Sequence, residues 1–291
     1  MKRRDFIKGS LLGALLPAAL AQARPDAAAA PDAAARLAAL QRNHGGRLGV
    51  AILDTGSGRR VDCRGDERFL MCSTFKVLAV AAVLARVDRG DERLDRRIVF
   101  GPNVLLDYAP VTRLHIGAPG MTVEALCAAT LTLSDNTAAN LLLDALGGPQ
   151  AVTAFVRGLG DTVTRLDRTE PELNVTRPGD LRDTSTPRAM LDTLRHLLLG
   201  EALGAASRAR LLGWMRGCLT GTDKLRAGLP AGWSAGDKTG SGAQGETNDI
   251  AILFPPDRPP LLVTAYYAAP AIDARQRGAV LAEVGRIAAA L

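Results

Sequence analysis

Aromatic residues are scarce in this sequence: Phe, Trp and Tyr together make up 4% of its 291 residues. Proteins that bind single-stranded nucleic acid stack bases on such side chains, so a stacking platform is not expected. The net charge is +6, but Lys2, Arg3, Arg4 and Lys8 against Asp5 account for +3 of it. The remaining +3 is spread without a long basic run, which argues against nucleic acid as a partner.

Cysteine and histidine are also few. The cysteine spacings match no disulfide framework and no metal-binding motif, and without an H-x-H or H-E-x-x-H pair a catalytic zinc site is not expected. We interpret most of the cysteines as small buried apolar residues, although an oxidising compartment would permit disulfides. These cysteines and histidines are Cys63, Cys72, Cys127, Cys218, His44, His115 and His196.

Charge is absent from residues 9–23, but this run is shorter than the roughly 20 residues that a membrane-spanning helix needs. A basic start, an apolar stretch and small residues at Ala21 and Ala23 are typical of a signal peptide cleaved after Ala23. The run RRDFIK resembles a twin-arginine export signal, with an ordinary secretory signal as the alternative. We therefore expect a periplasmic protein without a stable membrane anchor, and a loose tether at residues 24–34.

Strand-like runs lie near the two ends of the chain. GSG joins RLGVAILDT to RRVDC, and PPDRPP joins NDIAILF to LLVTAYYA, which predicts two β-hairpins. The last segment places Val280, Val284, Ile287 and Leu291 on one helix face. Residues 70–215 show helical patterns instead, in the runs MTVEALCAATLTL, NTAANLLLDAL, PQAVTAFVRGL and TPRAMLDTLRHLLLG.

These patterns predict a two-domain α/β (α+β) fold. Because sheet edges need partners, both chain ends should join one antiparallel sheet flanked by helices. We expect the sheet domain to comprise residues 35–66 and 216–291 and an all-α domain to comprise residues 67–215. The active site should lie in the cleft between the two domains.

The run CSTFKVLAVAAVLARV, residues 72–87, predicts a buried helix because it is apolar on all sides from Val77 to Ala85. Its first turn nevertheless holds Ser73 and Lys76, which lie on one helix face at this spacing. A lysine drawn into a dry interior has a lowered pKa and can accept a proton from a nearby serine. The alternative is a polar first turn on a core helix, since S-x-x-K alone is a weak motif.

Two further motifs favour the chemical interpretation. S-D-N at Ser134–Asn136 follows one predicted helix and opens another, and K-T-G at Lys238–Gly240 precedes the C-terminal hairpin. The glycines of the run SAGDKTGSGAQG, which contains K-T-G, would let a substrate lie along a strand edge. Taken singly, S-D-N could be a helix N-cap and K-T-G a surface turn. The three motifs in this order point to one site.

With these motifs in this order, the chain resembles the class A serine β-lactamases, which share the signature with penicillin-binding proteins. The resemblance extends over essentially all of residues 35–291, through the runs SDNTAANLLL, RLDRTEPELN, DTSTP and RAGLPAGW. It implies that Glu170 and Asn174 hold a water between them and that Glu170 is the base that hydrolyses an acyl-enzyme. Pro171 makes a cis peptide possible, and Arg168 with Asp183 would close the neck of this omega loop.

The implied mechanism is a two-step acyl transfer that needs no metal or organic cofactor. Ser73 would attack the lactam carbonyl, and either Lys76 or Glu170 acting through water would take its proton. Ser134, helped by Lys238, would protonate the departing nitrogen.

The resemblance also implies how a small-molecule β-lactam would bind to a monomeric enzyme. Backbone N–H groups of Ser73 and Ser241 would form the oxyanion hole, Asn136 would hold the side-chain amide, and Tyr108 would line the cleft mouth. The implied substrate-binding residues are Asn136, Asn174, Thr239, Gly240, Ser241, Tyr108 and Lys224.

The sequence departs from the family pattern at several positions. Relatives place an arginine near the carboxylate end of the site, whereas here the two positions that supply it are Thr247 and Lys224. We expect Lys224 to bind the substrate carboxylate, with an ordinary surface lysine as the alternative. Two disulfides found in the family each lack one cysteine here. The position that would pair with Cys72 is Gly242, and the position that would pair with Cys127 is Val80.

Two other functions remain open from the sequence. A penicillin-binding D-alanyl-D-alanine peptidase shares the nucleophile chemistry but lacks a deacylating glutamate, so Glu170 argues against it. A penicillin-sensing domain would acylate and stall.

Overall fold

A computed structural model of the chain describes residues 32–175, 177 and 179–291. The predicted signal peptide and most of the predicted tether lie outside the described residues. The first helix already begins at Ala33, with Asp32 at its N-cap position, so the tether prediction of residues 24–34 extends two residues too far. Within the described residues, no helix is both long enough and apolar enough to span a membrane.

The helices are, in chain order, α1 (Ala33–His44), α2 (Phe75–Arg89), α3 (Val123–Thr132), α4 (Asn136–Leu146), α5 (Pro149–Gly158), α6 (Pro187–Leu198), α7 (Ala205–Arg216) and α8 (Ala274–Ala289). The strands are β1 (Arg47–Asp54), β2 (Arg60–Cys63), β3 (Phe69–Leu70), β4 (Arg97–Ile98), β5 (Met121–Thr122), β6 (Thr184–Ser185), β7 (Ser234–Ser241), β8 (Glu246–Phe254) and β9 (Leu261–Ala268). Short pairs join β3 to β6 and β4 to β5.

The two ends of the chain meet in one antiparallel sheet of order β2-β1-β9-β8-β7. The first and last parts of the chain pair directly, since Val50 of β1 lies opposite Ala265 of β9 and Ile52 lies opposite Val263. Both predicted hairpins, β1–β2 and β8–β9, are present. The predicted α/β fold is therefore confirmed, and β7 forms an edge of its sheet.

Helices cover both faces of this sheet. α1 and α8 pack on one face, where Leu37, Val263 and Val284 belong to a common apolar core. On the other face α6 contacts β1 and β9, and Thr264 Oγ1 donates to Pro187 O at 2.7 Å. A helix from the predicted all-α region therefore packs directly on the sheet, within the compact unit of residues 32–291.

The central helix of the middle region is α2. Its residues from Phe75 to Ala85 are all buried, and α3, α4, α5 and α7 surround it. Helices α3 to α6 coincide with the four predicted helical runs. The sequence patterns do not predict α7, which buries only Ser207, Leu211 and Met215 and therefore shows a weak apolar pattern.

Candidate active site

Ser73 lies in a tight turn that leads into α2. Residues Cys72–Thr74 form a 3₁₀ turn, and the α-helix begins at Phe75. The prediction that Ser73 belongs to the first turn of the α-helix was therefore wrong in detail. The cause lies at Cys72, whose φ of 46° puts a non-glycine residue in the left-handed region and redirects the chain.

The Lys76 side chain is fully buried at the entrance of this helix. Its Nζ donates to Ser134 O at 2.8 Å and to Asn136 Oδ1 at 2.6 Å, and lies 3.1 Å from Glu170 Oε1. Burial lowers the pKa of the Lys76 ammonium, while the Glu170 carboxylate opposes that shift. Ser73 Oγ donates to the same Glu170 oxygen at 3.3 Å. One carboxylate oxygen thus contacts both residues of the S-x-x-K motif.

The three residues of the S-D-N segment have different structural roles. Asp135 caps α4 by accepting from Ala138 N, and it also accepts from Thr112 Oγ1, both at 2.9 Å. Ser134 has φ of 59°, and this left-handed conformation separates α3 from α4. The N-cap interpretation is therefore correct for Asp135, while the neighbours Ser134 and Asn136 contact Lys76.

The K-T-G segment lies within strand β7 rather than in a surface turn. Lys238 is fully buried, and its Nζ donates to Ser134 Oγ at 3.0 Å. Burial, followed by the charge of Lys76, lowers the pKa of Lys238 to about 8. A Cβ at Gly240 would lie 2.9 Å from Met71 O and 3.2 Å from Ser73 N, so glycine is what lets β7 pass this close to the turn.

Glu170 is held by several contacts of its own loop and of α4. The Glu170–Pro171 peptide is cis, and Asn174 Nδ2 donates to Glu170 Oε2. Asn140 of α4 makes two hydrogen bonds with the backbone of Glu170, donating to its carbonyl at 2.8 Å and accepting from its N–H at 3.0 Å. Asn140 belongs to none of the motifs that predicted the site from the sequence.

The neck of this loop closes as predicted. Arg168 Nε forms an ion pair with Asp183 Oδ2, and Asp183 Oδ1 also accepts from the backbone N–H groups of Asp167 and Arg168. Asp183 is fully buried. The loop that carries Glu170 is therefore fastened at both ends.

A cavity of about 320 Å³ opens along these groups. Glu170, Lys76 and Lys238 do not line it themselves, but each is hydrogen-bonded to a residue that does. Of the residues predicted to bind substrate, it brings together Tyr108, Asn136, Asn174, Lys224, Thr239, Gly240 and Ser241, with Ser73, Ser134 and Thr220. Every predicted catalytic and substrate-binding residue therefore lies in or against one cleft.

Lys224 also lines this cavity; its Nζ donates to Thr220 O at 3.1 Å and lies 2.7 Å from Asp223 Oδ1. Thr220, which the sequence analysis missed, shares a hydrogen bond of 2.6 Å with Thr239 Oγ1. The Lys224 side chain is 13% exposed, so it is more enclosed than an ordinary surface lysine.

The cysteines of the described part of the chain are unpaired. Cys72, Cys127 and Cys218 are buried, and Cys63 is half-buried. Burial raises the pKa of all four thiols. This agrees with their interpretation as small buried residues.

The sequence matches the β-lactamase enzyme family over residues 32–291. It is 50% identical to the β-lactamase OXY-2 of Klebsiella oxytoca over 252 residues, 87% of each chain. It is 46% identical to the β-lactamase CTX-M-25 of Escherichia coli over 287 residues, 99% of this chain and 98% of that one. The structure matches an ancestral class A β-lactamase with a TM-score of 0.86 and 62% identity, covering 88% of this chain and 98% of that one.

Proposed function

The chain belongs to the class A serine β-lactamases, hydrolases that confer resistance to β-lactams, and we propose that it opens penicillins and cephalosporins through an acyl-enzyme on Ser73. One observation carries this proposal. The buried Glu170 carboxylate contacts Ser73 Oγ and Lys76 Nζ through one oxygen and Asn174 through the other. A carboxylate placed in this way can serve both the formation and the hydrolysis of an ester on Ser73.

In the first step, Ser73 Oγ attacks the strained lactam carbonyl and its proton passes to the Lys76–Glu170 pair. The dry site supports this transfer, because burial favours the neutral amine of Lys76, which can accept a proton, over its ammonium form. Backbone N–H groups of Ser73 and Ser241 stabilise the oxyanion that forms. Close packing of β7 against the turn, which Gly240 permits, supports that pairing of donors.

The lactam nitrogen leaves with a proton from Ser134. Its hydroxyl lies within reach of both lysines, 3.0 Å from Lys238 Nζ and 3.2 Å from Lys76 Nζ. Two ammonium groups around one hydroxyl make it a better proton donor, and Lys76 can then return a proton to Ser134. This arrangement links the proton taken from Ser73 to the proton delivered to the nitrogen.

In the second step, Glu170 activates a water held with Asn174, and the hydroxide hydrolyses the Ser73 ester. The product is a penicilloate-type acid, and the proton that Glu170 took from the water passes to the departing Ser73 Oγ. A general base must be held in place to act. Two hydrogen bonds from Asn140, one from Asn174 and the ion pair at the neck of the loop hold Glu170 and so support this role.

Substrate binding uses the rest of the cleft. Asn136 binds the side-chain amide of the β-lactam, Thr239 and Ser241 bind its carboxylate, and Tyr108 lines the mouth, where its side chain is 49% exposed. Lys224 supplies a second cation at the carboxylate end.

The experiment that tests the function is multiple-turnover hydrolysis of a chromogenic cephalosporin and of benzylpenicillin by the purified protein. We expect many turnovers per enzyme. A single burst without further turnover would indicate a penicillin-sensing protein. Cleavage of a D-alanyl-D-alanine peptide with stalled penicillin would indicate a peptidase, and either result would overturn the proposal.

The cellular setting follows from the leader. We propose that residues 1–23 direct export to the periplasm and are removed after Ala23, and that the mature protein acts there as a monomer. Its domains are proposed as residues 35–66 with 216–291, and residues 67–215.

A further inference from the structure

Asn248 connects the sheet to the turn that carries Ser73. It lies on β8, and its side chain is buried, with the residue 2% exposed. Its Nδ2 donates to Leu70 O at 2.9 Å and to Met71 O at 3.1 Å. Because both partners are carbonyls, which only accept, the amide nitrogen must face them. One side chain thus uses both of its N–H donors on consecutive carbonyls just before Ser73.

The segment that Asn248 holds is strained. Cys72 follows Met71 directly and has φ of 46°, a conformation that costs energy for any residue other than glycine. Such a conformation persists only where neighbouring contacts over-determine it. The Met71 carbonyl is such a point, since it also accepts from Thr74 N at 3.2 Å and from Thr74 Oγ1 at 2.8 Å.

The sheet faces this turn with a matched pair of residues. Asn248 and Gly240 lie opposite each other in the β7–β8 register. Gly240 leaves room, because a Cβ there would lie 2.9 Å from Met71 O and 3.2 Å from Ser73 N. Asn248 supplies the hydrogen bonds that hold the turn close to β7 at this point. Together they determine how closely Ser73 N and β7 approach each other.

We infer that Asn248 is a positioning residue that aims the backbone N–H of Ser73 at the developing oxyanion. The inference rests on the proposed function, because it concerns the oxyanion hole of that reaction. Asn248 acts through Leu70 and Met71 and does not touch the substrate. A purely structural tie would stabilise the fold without affecting transition-state binding, so the two roles are separable.

The test compares Asn248→Ala with wild type in two measurements. The first is the rate of acylation by benzylpenicillin, and the second is the inhibition constant of phenylboronic acid, which forms a tetrahedral adduct on Ser73. We expect acylation to slow about tenfold or more and the boronic acid to bind weaker by a similar factor, since misaligned oxyanion donors affect both. Thermal unfolding of each variant monitors the fold.

The matched control is Thr264→Val, which removes another buried hydrogen bond from the same sheet, on β9. We expect it to lower the melting temperature without changing acylation or boronic acid binding. Asn248→Ala with both values within twofold of wild type would overturn the inference, whatever its melting temperature. Inactive wild-type protein would instead overturn the proposed function, and the inference with it.

A second variant covers the case in which alanine prevents folding. Asn248→Asp keeps the shape of the side chain but has a proton to donate only when its carboxyl is protonated. Its acylation rate relative to wild type should therefore be higher at acid pH than at alkaline pH. An acylation rate within twofold of wild type at a pH at which the carboxyl is ionised would contradict the positioning role.

Discussion

Lys76 Nζ lies 3.1 Å from Glu170 Oε1, and both side chains are fully buried. The two groups that could take the Ser73 proton therefore contact each other. Removing one of them leaves the other as an unpaired buried charge. Loss of acylation in a single variant consequently does not identify the base, and the second reaction step distinguishes the residues better.

Glu170→Gln should acylate and then fail to release the product. Glutamine keeps the shape of the side chain but cannot accept a proton from water at neutral pH. Intact mass after mixing with benzylpenicillin should show a persistent adduct, with hydrolysis of the ester slowed at least about a hundredfold. Glu172→Gln is the control, because Glu172 is an exposed carboxylate of the same loop. Rapid turnover by the Glu170 variant would contradict its role as the base.

The strands, the buried helix and the three motifs could be predicted from the sequence because their signals are local. Short apolar runs around Gly-Ser-Gly and around the proline-rich turn predicted both hairpins, and an all-apolar run predicted α2. The turn at Ser73 was placed wrongly, since nothing in local propensity predicts a left-handed Cys72. That conformation depends on Met71, Asn248 and Gly240, which come together only in the fold.

Supporting residues escaped prediction for a related reason. Asn140 contacts Glu170 thirty residues along the chain, and Asn248 contacts Met71 across 177 residues. A polar residue on a helix or strand is predicted to be exposed to solvent as long as its hydrogen-bond partner is unknown. Thr220 is likewise connected to the site only through its hydrogen bond with Thr239 of β7. The family resemblance supplied the reacting groups, while the residues that fasten them required three-dimensional contacts.

The pKa of Lys238, lowered to about 8 by burial and the charge of Lys76, predicts a pH dependence. The ammonium helps Ser134 and attracts the substrate carboxylate only while protonated, so kcat/KM should fall as pH rises through about 8. Lys238→Arg is the test, because a guanidinium stays charged over this range. The alkaline decline of kcat/KM should move to higher pH in this variant. An unchanged decline would assign the titration to another group.

The same pKa shift affects stability with the opposite sign. Between pH 8 and the usual lysine value near 10.5, the unfolded chain binds more protons at Lys238 than the folded protein does. The contribution of this group to the free energy of unfolding therefore rises with pH in that window. Chemical denaturation at pH 7.5 and 9.5 measures the free energy of unfolding of wild type and of Lys238→Met. Between these two pH values it should increase less, or decrease more, in the variant than in wild type.

Asn140→Ala should weaken the placement of Glu170. The variant loses one donor and one acceptor to the Glu170 backbone, at 2.8 and 3.0 Å, which should cost about 1–3 kcal/mol of stability. Hydrolysis of the acyl-enzyme should slow more than its formation, because Lys76 can also take the Ser73 proton in the first step, whereas the second step depends on Glu170 and its water alone. Single-turnover kinetics separate the two steps. Equal slowing of both would argue for a general packing role instead.

Export should depend on the arginine pair of the leader, which lies outside the described residues. Arg3→Lys together with Arg4→Lys should leave folded precursor in the cytoplasm, because the pair is read as an address. Activity in periplasmic and cytoplasmic fractions measures the effect. The control is Lys2→Arg, which keeps the leader charge and the pair. Unchanged periplasmic activity in the double variant would indicate the general secretory route.

Lys224 occupies a position at which relatives place an arginine that binds the substrate carboxylate, and variants of Lys224 test whether lysine has the same role here. Its ammonium is enclosed, donates to Thr220 O at 3.1 Å, and reaches the cavity that Thr239 and Ser241 also line. Lys238 supplies one cation but also contacts Ser134. A second cation relieves that demand. Lys224→Ala should therefore lower kcat/KM for a penicillin about tenfold, equivalent to about 1.4 kcal/mol.

Two variants make this prediction specific to the charge of Lys224. Lys224→Arg should preserve or raise kcat/KM, since a guanidinium can bind a carboxylate in a bidentate manner. Asp223→Asn removes the carboxylate 2.7 Å from Nζ and should not lower it, because the cation remains and gains freedom to face the substrate. Steady-state kinetics on a penicillin decide the matter. If Lys224→Ala stays within twofold of wild type, Lys238, Thr239 and Ser241 bind the carboxylate without Lys224.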